Sequence, residues 1–551
     1  MSADNSDVII VGAGAGGSLA AYGLSKAGLK VALIELGPRF EPAKDYYADK
    51  PDWEFRDPFI NHVPQTYTSE FKPLDSKFDH LRTTILNKDL THRTFTYTRA
   101  CGVGGTTLRY QGEAHRFPPH AFRMKSLYGM GVDWPVSYAD LAPYYEKVES
   151  LLGVAGSINP LFPKETPYPN PPHPLSCASQ RVADGCKKLG LDLVPNTLAI
   201  LSRQTSTRPA CIYCKLCSLG CMPGDKSSTD VAVIPNAEKT GNLNIMTETV
   251  VLKIIMNKNG LAEGVLTYDK KTGKETMLKA RVVILAGGAV ETPRLLLNSG
   301  NSLFPDGLLD SEGIVGSYLM ENLTSAVLFL FNEKVGSYKG LPIDSKVWDF
   351  SVPQIKKGYN RGFSIGSMGA PDGFIGPASF ALRIARGYGK DHRMFMEKYY
   401  GAHSMVFCIA EHLPNEKNRL GLNREEKDEF GMPKAKADIE LQQEDLAIID
   451  KMMTLSKDIA LASGAVKILG QYSNYDYSSA SHACGTARMG FKEKDSVINS
   501  NCQSHAVKNL FITDASILPT QGCGASPSLT IQALALRASD HIISEFKKGN
   551  L

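Results

Sequence analysis

The 551-residue chain has no run of 18 or more apolar residues, so nothing in it predicts a membrane-spanning helix. It has no block of five or six like charges. Its 61 Lys and Arg against 57 Asp and Glu leave a formal net charge of +4, close to neutral at this length. That balance excludes the basic footprint of a nucleic-acid-binding protein. The N-terminus, MSADNSDVIIVGAGAGG, lacks the basic, apolar and small-residue order of a secretory signal. The expectation is therefore a cytoplasmic protein, or a periplasmic one if a signal-bearing partner carries it out. There is no tandem repeat and no low-complexity segment. The eleven cysteines are odd in number and four are clustered, which argues against a disulfide framework and for reduced thiols. With 43% hydrophobic and 21% charged residues, the composition is that of a soluble globular protein.

What is present begins at the N-terminus. Asp7 to Val11 (DVIIV) reads as a short buried parallel strand, and Gly12, Gly14 and Gly17 follow in GxGxxG spacing. SLAAYGLSKAG continues as a helix to Gly28, and KVALIEL supplies a second strand ending at Glu35. In such a unit the first glycine permits the tight turn, the second lets backbone approach a pyrophosphate, and the third lets helix pack on strand. The unpaired N–H groups at the helix start attract the phosphates. Glu35 can accept hydrogen bonds from both ribose hydroxyls and would repel a 2′-phosphate, which disfavours NADP. The N-terminal position of the motif is associated with FAD more than with NAD.

The stretch ACIYCKLCSLGCMPGD places Cys211, Cys214, Cys217 and Cys221 in C-x2-C-x2-C-x3-C spacing. This is close to the run that wraps an iron–sulfur cluster, although Met222 separates the last cysteine from Pro223. Four thiolates also suit zinc, and free or structural thiols are the third reading.

Three further stretches carry a family resemblance: RACGVGGTTLRYQGEAHRF (99–117) with RMKSLYGMGVDWPVSYADLAPYYEKVE after it, VVILAGGAVETPRLLLNSG (282–300), and SHACGTARMG (481–490) with NLFITDASILPTQGCGASPSLTIQALALRASDHI. Together they resemble the glucose–methanol–choline (GMC) oxidoreductases. The likeness is to the branch holding the large subunits of bacterial gluconate, fructose and glucose dehydrogenases and glucoside 3-dehydrogenase. The resemblance implies an FAD enzyme that oxidises an alcohol, sugar, glycoside or polyol to a carbonyl. It implies an α/β Rossmann-like FAD domain interleaved with an α+β substrate domain built on an antiparallel sheet with helices. The expected FAD domain draws on 1–45, 95–125, 225–320 and 478–551. The substrate domain, cysteine-rich loop and arms draw on 46–94, 126–224 and 321–477.

By the same resemblance Gly104, Gly105 and Thr106 line the flavin, the backbone near Val251 holds the adenine, and Asp514 ends a strand beside the cofactor, where it could equally be structural. His482 matches the family's active-site histidine. Alcohol oxidation needs a base for the hydroxyl proton while hydride leaves carbon, and imidazole suits that task. The family's second residue, commonly an Asn before Pro, is replaced here by Ser526 before Pro527. Ser526 is thus a candidate to orient substrate, or simply the N-cap of the last helix with Pro527 at N1; Cys523 is its alternative neighbour.

Relatives in that branch carry a [3Fe-4S] cluster from cysteines in this region with different spacing, so the four cysteines are expected to hold a [3Fe-4S] or [4Fe-4S] cluster. It would pass electrons to an external acceptor such as a cytochrome c-type protein, with a small subunit as a further partner. The segments 36–98 and 155–210, rich in Pro, aromatics and charge, read as arms that wrap neighbours or as surface excursions. The alternatives are an FAD alcohol or sterol oxidase that uses O2 without a cluster, and a non-catalytic binding protein. FSIGSMGAPDGFIGP (363–377) reads as a lid or a plain loop, CIAEHLPNEKNRLGLN (408–423) as a sheet edge. LQQEDLAIIDKMMTLSKDIALASG reads as a helix burying Leu446, Ile449, Met453 and Ile459.

Overall fold

A computed structural model describes residues 6–47, 49–50, 52–56, 58, 67–68, 75–85, 94–97, 99–370, 375–385, 387–479 and 481–551. Its first layer is a five-stranded parallel sheet in the order Leu510–Ile512, Val282–Leu285, Val8–Val11, Val31–Ile34, Leu243–Met246. The central strands read VIIV, VALI and VVIL because a parallel sheet is covered on both faces. Val8, Ile10, Val31 and Leu33 face one core with Ala20 and Leu24 of helix Ala15–Lys26 and Ile542 of helix Ser528–Lys548. Ile9, Ala32, Ile34 and Val283 face the other. The two helices pack on one another, so the N-terminal and C-terminal ends of the chain close the same layer.

The second layer is an antiparallel sheet in the order Lys467–Ser473, Leu323–Leu330, His403–Ala410, Phe363–Met368, Ser345–Val347, Leu193–Pro195. Side chains alternate between its faces. Val327, Phe329, Val406 and Cys408 pack on Ile449, Met452 and Met453 of helix Gln443–Ala462. Leu446, Ile449, Met453 and Ile459 of that helix are all buried, as their spacing requires. Ala326, Leu328, Met368 and Met405 form a separate cluster on the opposite face, with Phe407 against it.

Several local expectations change. Residues 363–368 are an interior strand of the antiparallel sheet and not part of a lid; its ladder on both sides consumes the backbone groups a mobile loop would leave free. Residues 371–374 of that stretch lie outside the described residues. Cys408 to Ala410 end a strand paired on both sides, so 408–423 is no simple sheet edge; Arg419 opens a different strand, Arg419–Lys427. The segment 155–210 folds against its own chain. It contributes helix Cys177–Lys188, which packs on Gln443–Ala462, and the last strand of the sheet. Much of 36–98 lies outside the described residues. Helix Gly288–Asn298 begins directly at the glycine turn, so Pro293 sits in its second turn. The carbonyl of Ala289 that a residue 293 amide would have bonded accepts the Thr486 hydroxyl at 2.7 Å.

A buried charge cluster ties the segment after residue 155 to helix Tyr138–Leu152. Arg116 donates to both oxygens of Glu149 at 2.7 and 2.9 Å, and Lys164 lies 3.0 Å from the same carboxylate. All three side chains are almost wholly buried. Removing Glu149 leaves Lys164 without its carboxylate and Arg116 with only the longer 3.8 Å pairing to Glu146, and breaking a buried pair costs about 3–5 kcal/mol. Glu149→Ala is therefore expected to lower the unfolding free energy by about that amount in chemical denaturation, and a loss under about 1 kcal/mol would contradict the cluster's role.

Candidate active site

The glycines of the first turn do their work through close contacts. Gly12 has φ +102°, and a Cβ on Gly17 would lie 1.9 Å from the Gly12 carbonyl oxygen, so helix and turn cannot pack with any larger residue there. A Cβ on Gly105 would lie 2.6 Å from Gly14 Cα. The 102–107 loop thus rests directly on the first turn, and the two build one wall of a cavity of about 620 Å³. Gly12, Gly14, Gly105, Thr106, Glu35, Val251 and Asp514 line that cavity. Gly17 and Gly104 stand behind it; Gly104, at φ +112°, makes the turn and gives its carbonyl to Thr107 Oγ1 at 2.6 Å.

Glu35 sits at the end of its strand and accepts backbone N–H groups from Ala13 (2.9 Å), Gly37 (3.0 Å) and Gly102 (3.1 Å). Three donors hold the carboxylate in one orientation, and burial raises its pKa against their pull. Arg99 lies beside it on the cavity wall, 3.5 Å from Glu291, with Nε and Nη2 lacking hydrogen-bond partners among the described residues. Arg99 carried no assigned role in the sequence reading; a buried cation inside a glycine-rich motif is the signal that could have found it. Asp514 accepts from Gly288 N (2.9 Å), Thr292 Oγ1 (2.5 Å) and both groups of Ser516. It locks the strand end to helix Gly288–Asn298 while lining the cavity.

A glycine turn at a helix start, a fixed carboxylate at the next strand end and a guanidinium on the same wall make a fitting cradle for a dinucleotide. The cavity is within the usual size range of cofactor sites.

At the other end of the cavity stands His482. The orientation of its ring follows from a chain of obligatory donors. The backbone N–H of His412 donates to Gln521 Oε1 (2.9 Å), which also accepts Asn322 Nδ2 (3.4 Å). Asn322 Nδ2 donates as well to the Ala410 carbonyl (3.2 Å), so Asn322 Oδ1 must be the acceptor of His482 Nδ1–H at 2.6 Å. Nε2 is left as a lone pair, with no hydrogen bond to protein among the described residues. Burial lowers the imidazole pKa, the Glu113 carboxylate raises it and Lys346 lowers it, with a net downward shift. That shift favours the neutral ring.

Ser526 is not the N-cap of the last helix. Helix Ser528–Lys548 is preceded by Pro527 in the cap position, one residue later than expected, because the Ser526 side chain is engaged elsewhere. Its hydroxyl donates to Glu113 Oε2 at 2.6 Å, and its backbone N–H donates to His115 Nδ1 at 3.0 Å. Glu113 Oε1 also accepts Asn196 Nδ2 at 3.0 Å and pairs with Lys346 Nζ at 3.1 Å. His115 Nε2–H completes the ring by donating to Asn196 Oδ1 at 2.7 Å. Glu113 is held well below the usual carboxylate range: burial is outweighed by the Lys346 ammonium together with the hydrogen bonds from Ser526 and Asn196. Burial lowers His115 to about 4. None of Glu113, His115, Asn196 or Lys346 was visible as a site residue, since they come from three distant segments. Cys523 is excluded as a neighbour: it does not line the cavity, and its thiol donates to Glu411 Oε2 at 3.2 Å.

The four cysteines of the 210–225 loop do not assemble as a ligand set. Tyr213 and Lys215 have φ +57° and +67°, and the backbone between them leaves Cys214 exposed while Cys217 is buried in a short turn. Cys211 Sγ accepts from Tyr213 N, and Cys221 Sγ donates to Asp225 Oδ1 at 3.1 Å. Among the described residues no three His, Cys, Asp or Glu side chains are gathered to hold a metal. This arrangement lends no support to an iron–sulfur or zinc site. No helix among the described residues is long and apolar enough to cross a membrane.

Family models for GMC oxidoreductase match residues 6–304 and 414–535. The chain belongs to the GMC oxidoreductase family. Among its relatives, 2-methyl-1,2-propanediol dehydrogenase of Mycolicibacterium austroafricanum is 31% identical over 99% of this chain and 96% of that protein. The fructose dehydrogenase large subunit of Gluconobacter japonicus is 27% identical over 99% of each. Oxidases as well as dehydrogenases occur among the relatives. The solved structure of pyridoxine 4-oxidase from Mesorbium loti superposes with a TM-score of 0.67 at 18% identity, covering 98% of this chain and 99% of that one, and shows the shared fold. GMC oxidoreductases bind FAD, and the cradle between Glu35 and the first glycine turn is the place in this chain that suits it.

Glu35→Ala removes the acceptor that organises three N–H groups of that cradle. The purified variant is expected to carry well under one flavin per chain by visible absorbance, with its far-ultraviolet circular dichroism retained. Full flavin content would contradict the assignment.

Proposed function

We propose that this GMC oxidoreductase dehydrogenates an alcohol, with His482 as the base and electrons leaving to an external acceptor other than NAD. The observation that carries this is the lone pair of His482 Nε2, turned to the cavity by Asn322. Bound FAD supplies the two-electron acceptor for hydride from the carbinol carbon. The substrate hydroxyl donates to Nε2, which takes its proton as the C–H bond breaks. Asn322 holds Nδ1–H and orients the imidazolium that results. Neighbouring Glu113 favours that cation through space, while burial keeps the resting ring neutral. The start of helix Ser528–Lys548 lies on the cavity wall through Ser526, Pro527 and Ser528, where its positive end favours negative charge on a reduced cofactor.

The reported relatives named as dehydrogenases support an acceptor other than oxygen. The oxidase reading stands on the oxidases among the relatives. Dye reduction and peroxide release are to be measured side by side: dye reduction is expected to be the faster, and substrate-dependent peroxide at the full turnover rate would assign the oxidase.

Replacing His482 by Gln keeps a polar side chain and removes the base. Its kcat is expected to fall by about 10²- to 10⁴-fold with flavin retained. Because the folded-state pKa of His482 lies below the ordinary value, the base is available throughout the neutral range and is lost only as pH falls through that lower value. kcat/KM should be level above about pH 6.5 and decline on the acid side. A decline beginning well above neutrality would contradict a neutral resting imidazole.

A further inference from the structure

His482 and Ser526 both line the cavity, and each offers it a hydrogen-bond acceptor. The first is His482 Nε2. The second is Ser526 Oγ, because its single proton is committed to Glu113, an acceptor-only carboxylate held by Lys346 and Asn196. A lone substrate hydroxyl has one proton and satisfies one acceptor; the other then faces a bare oxygen or hydrocarbon, and a buried polar group without a partner is costly. An asparagine at position 526 would offer donors to the same space, so the serine changes the sign of the hydrogen bond on offer.

Most of the wall supplied by the antiparallel sheet is apolar; Asn322 and Thr324, whose hydroxyl donates to Asn474 Oδ1 at 2.7 Å, are its polar members. Ile343, Met368, Met405, Phe407 and Ile409 line the cavity from the antiparallel sheet. Met368 and Met405 are directly paired across neighbouring strands, and Phe407 and Ile409 follow on the same face. Hydroxyls directed at Met368, Met405 and Phe407 would lose their water without replacement.

We infer that the substrate is a diol bearing an alkyl body: one hydroxyl donates to His482 Nε2 and is oxidised, the second donates to Ser526 Oγ, and the hydrocarbon lies on the Met368–Met405–Phe407 wall. This rests on the dehydrogenase reading of the site and narrows it. The reaction balances as before: the carbinol loses one proton to His482 and one hydride to FAD and becomes a carbonyl, while the second hydroxyl keeps its proton. Glu113, Asn196 and Lys346 are positioning residues that act through Ser526.

The test uses the flavin-loaded protein and an external dye. Its substrates are hexane-1,2-diol, hexane-1,3-diol, hexan-1-ol, hexan-2-ol and the monomethyl ethers of the diols, which keep the second oxygen but lose its proton. One diol or the other is expected to exceed the mono-ols and ethers in kcat/KM by about 10- to 100-fold, the effect of one buried acceptor left unmet. Ser526→Ala should bring that ratio close to one with flavin content unchanged. Thermal stabilisation of the anaerobic protein should follow the same order of compounds. Equal efficiency for diols, ethers and mono-ols would overturn the diol assignment while leaving alcohol dehydrogenation intact. A diol preference that survives in Ser526→Ala would overturn the role given to Ser526. Turnover of free sugars alone would overturn the alkyl body, and failure of every alcohol to reduce the flavin would remove the underlying dehydrogenase reading as well.

Discussion

The hydrogen bond from His482 Nδ1 to Asn322 Oδ1 decides which nitrogen the site can use. Everything chemical in the cavity depends on that choice. With Nδ1–H committed at 2.6 Å, Nε2 is an acceptor, and a neutral acceptor beside a carbinol is a base. The bond is not an isolated contact. It ends a relay that starts at a backbone N–H, passes through Gln521 and reaches Asn322, and each step leaves its member one way to point. A backbone donor cannot be flipped, so the tautomer is anchored in the fold of the antiparallel sheet.

The two layers meet where this relay ends. The parallel sheet and its first turn supply a cradle of glycines and the Glu35 carboxylate. The antiparallel sheet supplies Asn322 at the start of one strand and the apolar face of two others. His482 comes from the returning C-terminal segment and Ser526 from the approach to the last helix, which itself packs on the first helix. The buried cluster of Glu113, His115, Asn196 and Lys346 joins segments from both layers around Ser526. Such a cluster is costly to bury unless each member is paired, and here each polar contact is matched. The result is a cavity whose cofactor end is organised by backbone and whose substrate end is organised by side-chain hydrogen bonds.

The cofactor half was legible because its physics is local. Gly12, Gly14, Gly17 and Glu35 fall within one strand–turn–helix–strand unit, and spacing alone says how they meet. His482 was legible through its motif, which carries the family likeness across segments. The partners that set its chemistry were not. Asn322 lies 160 residues away and Glu113 lies 413 residues from Ser526, and no local pattern reports contacts of that separation. Ser526 looked like a helix cap because Ser-Pro before an apolar helix usually is one; a buried carboxylate took the hydroxyl instead. The cysteine loop misled for the opposite reason. Its spacing comes close to that of a cluster-binding run, but the thiols are not gathered as a metal-holding group among the described residues, and the left-handed backbone at Tyr213 and Lys215 is not readable from residue type. The apolar wall escaped notice because alternating Met405, Phe407 and Ile409 read equally well as core.

The most direct test of the central claim is a crystal structure of the flavin-loaded protein with an unreactive alcohol analogue bound. The account predicts the analogue's hydroxyl oxygen within about 3 Å of His482 Nε2, with Nδ1 still on Asn322. A ring turned over so that Nε2 meets Asn322, or a hydroxyl bound away from the imidazole, would contradict it.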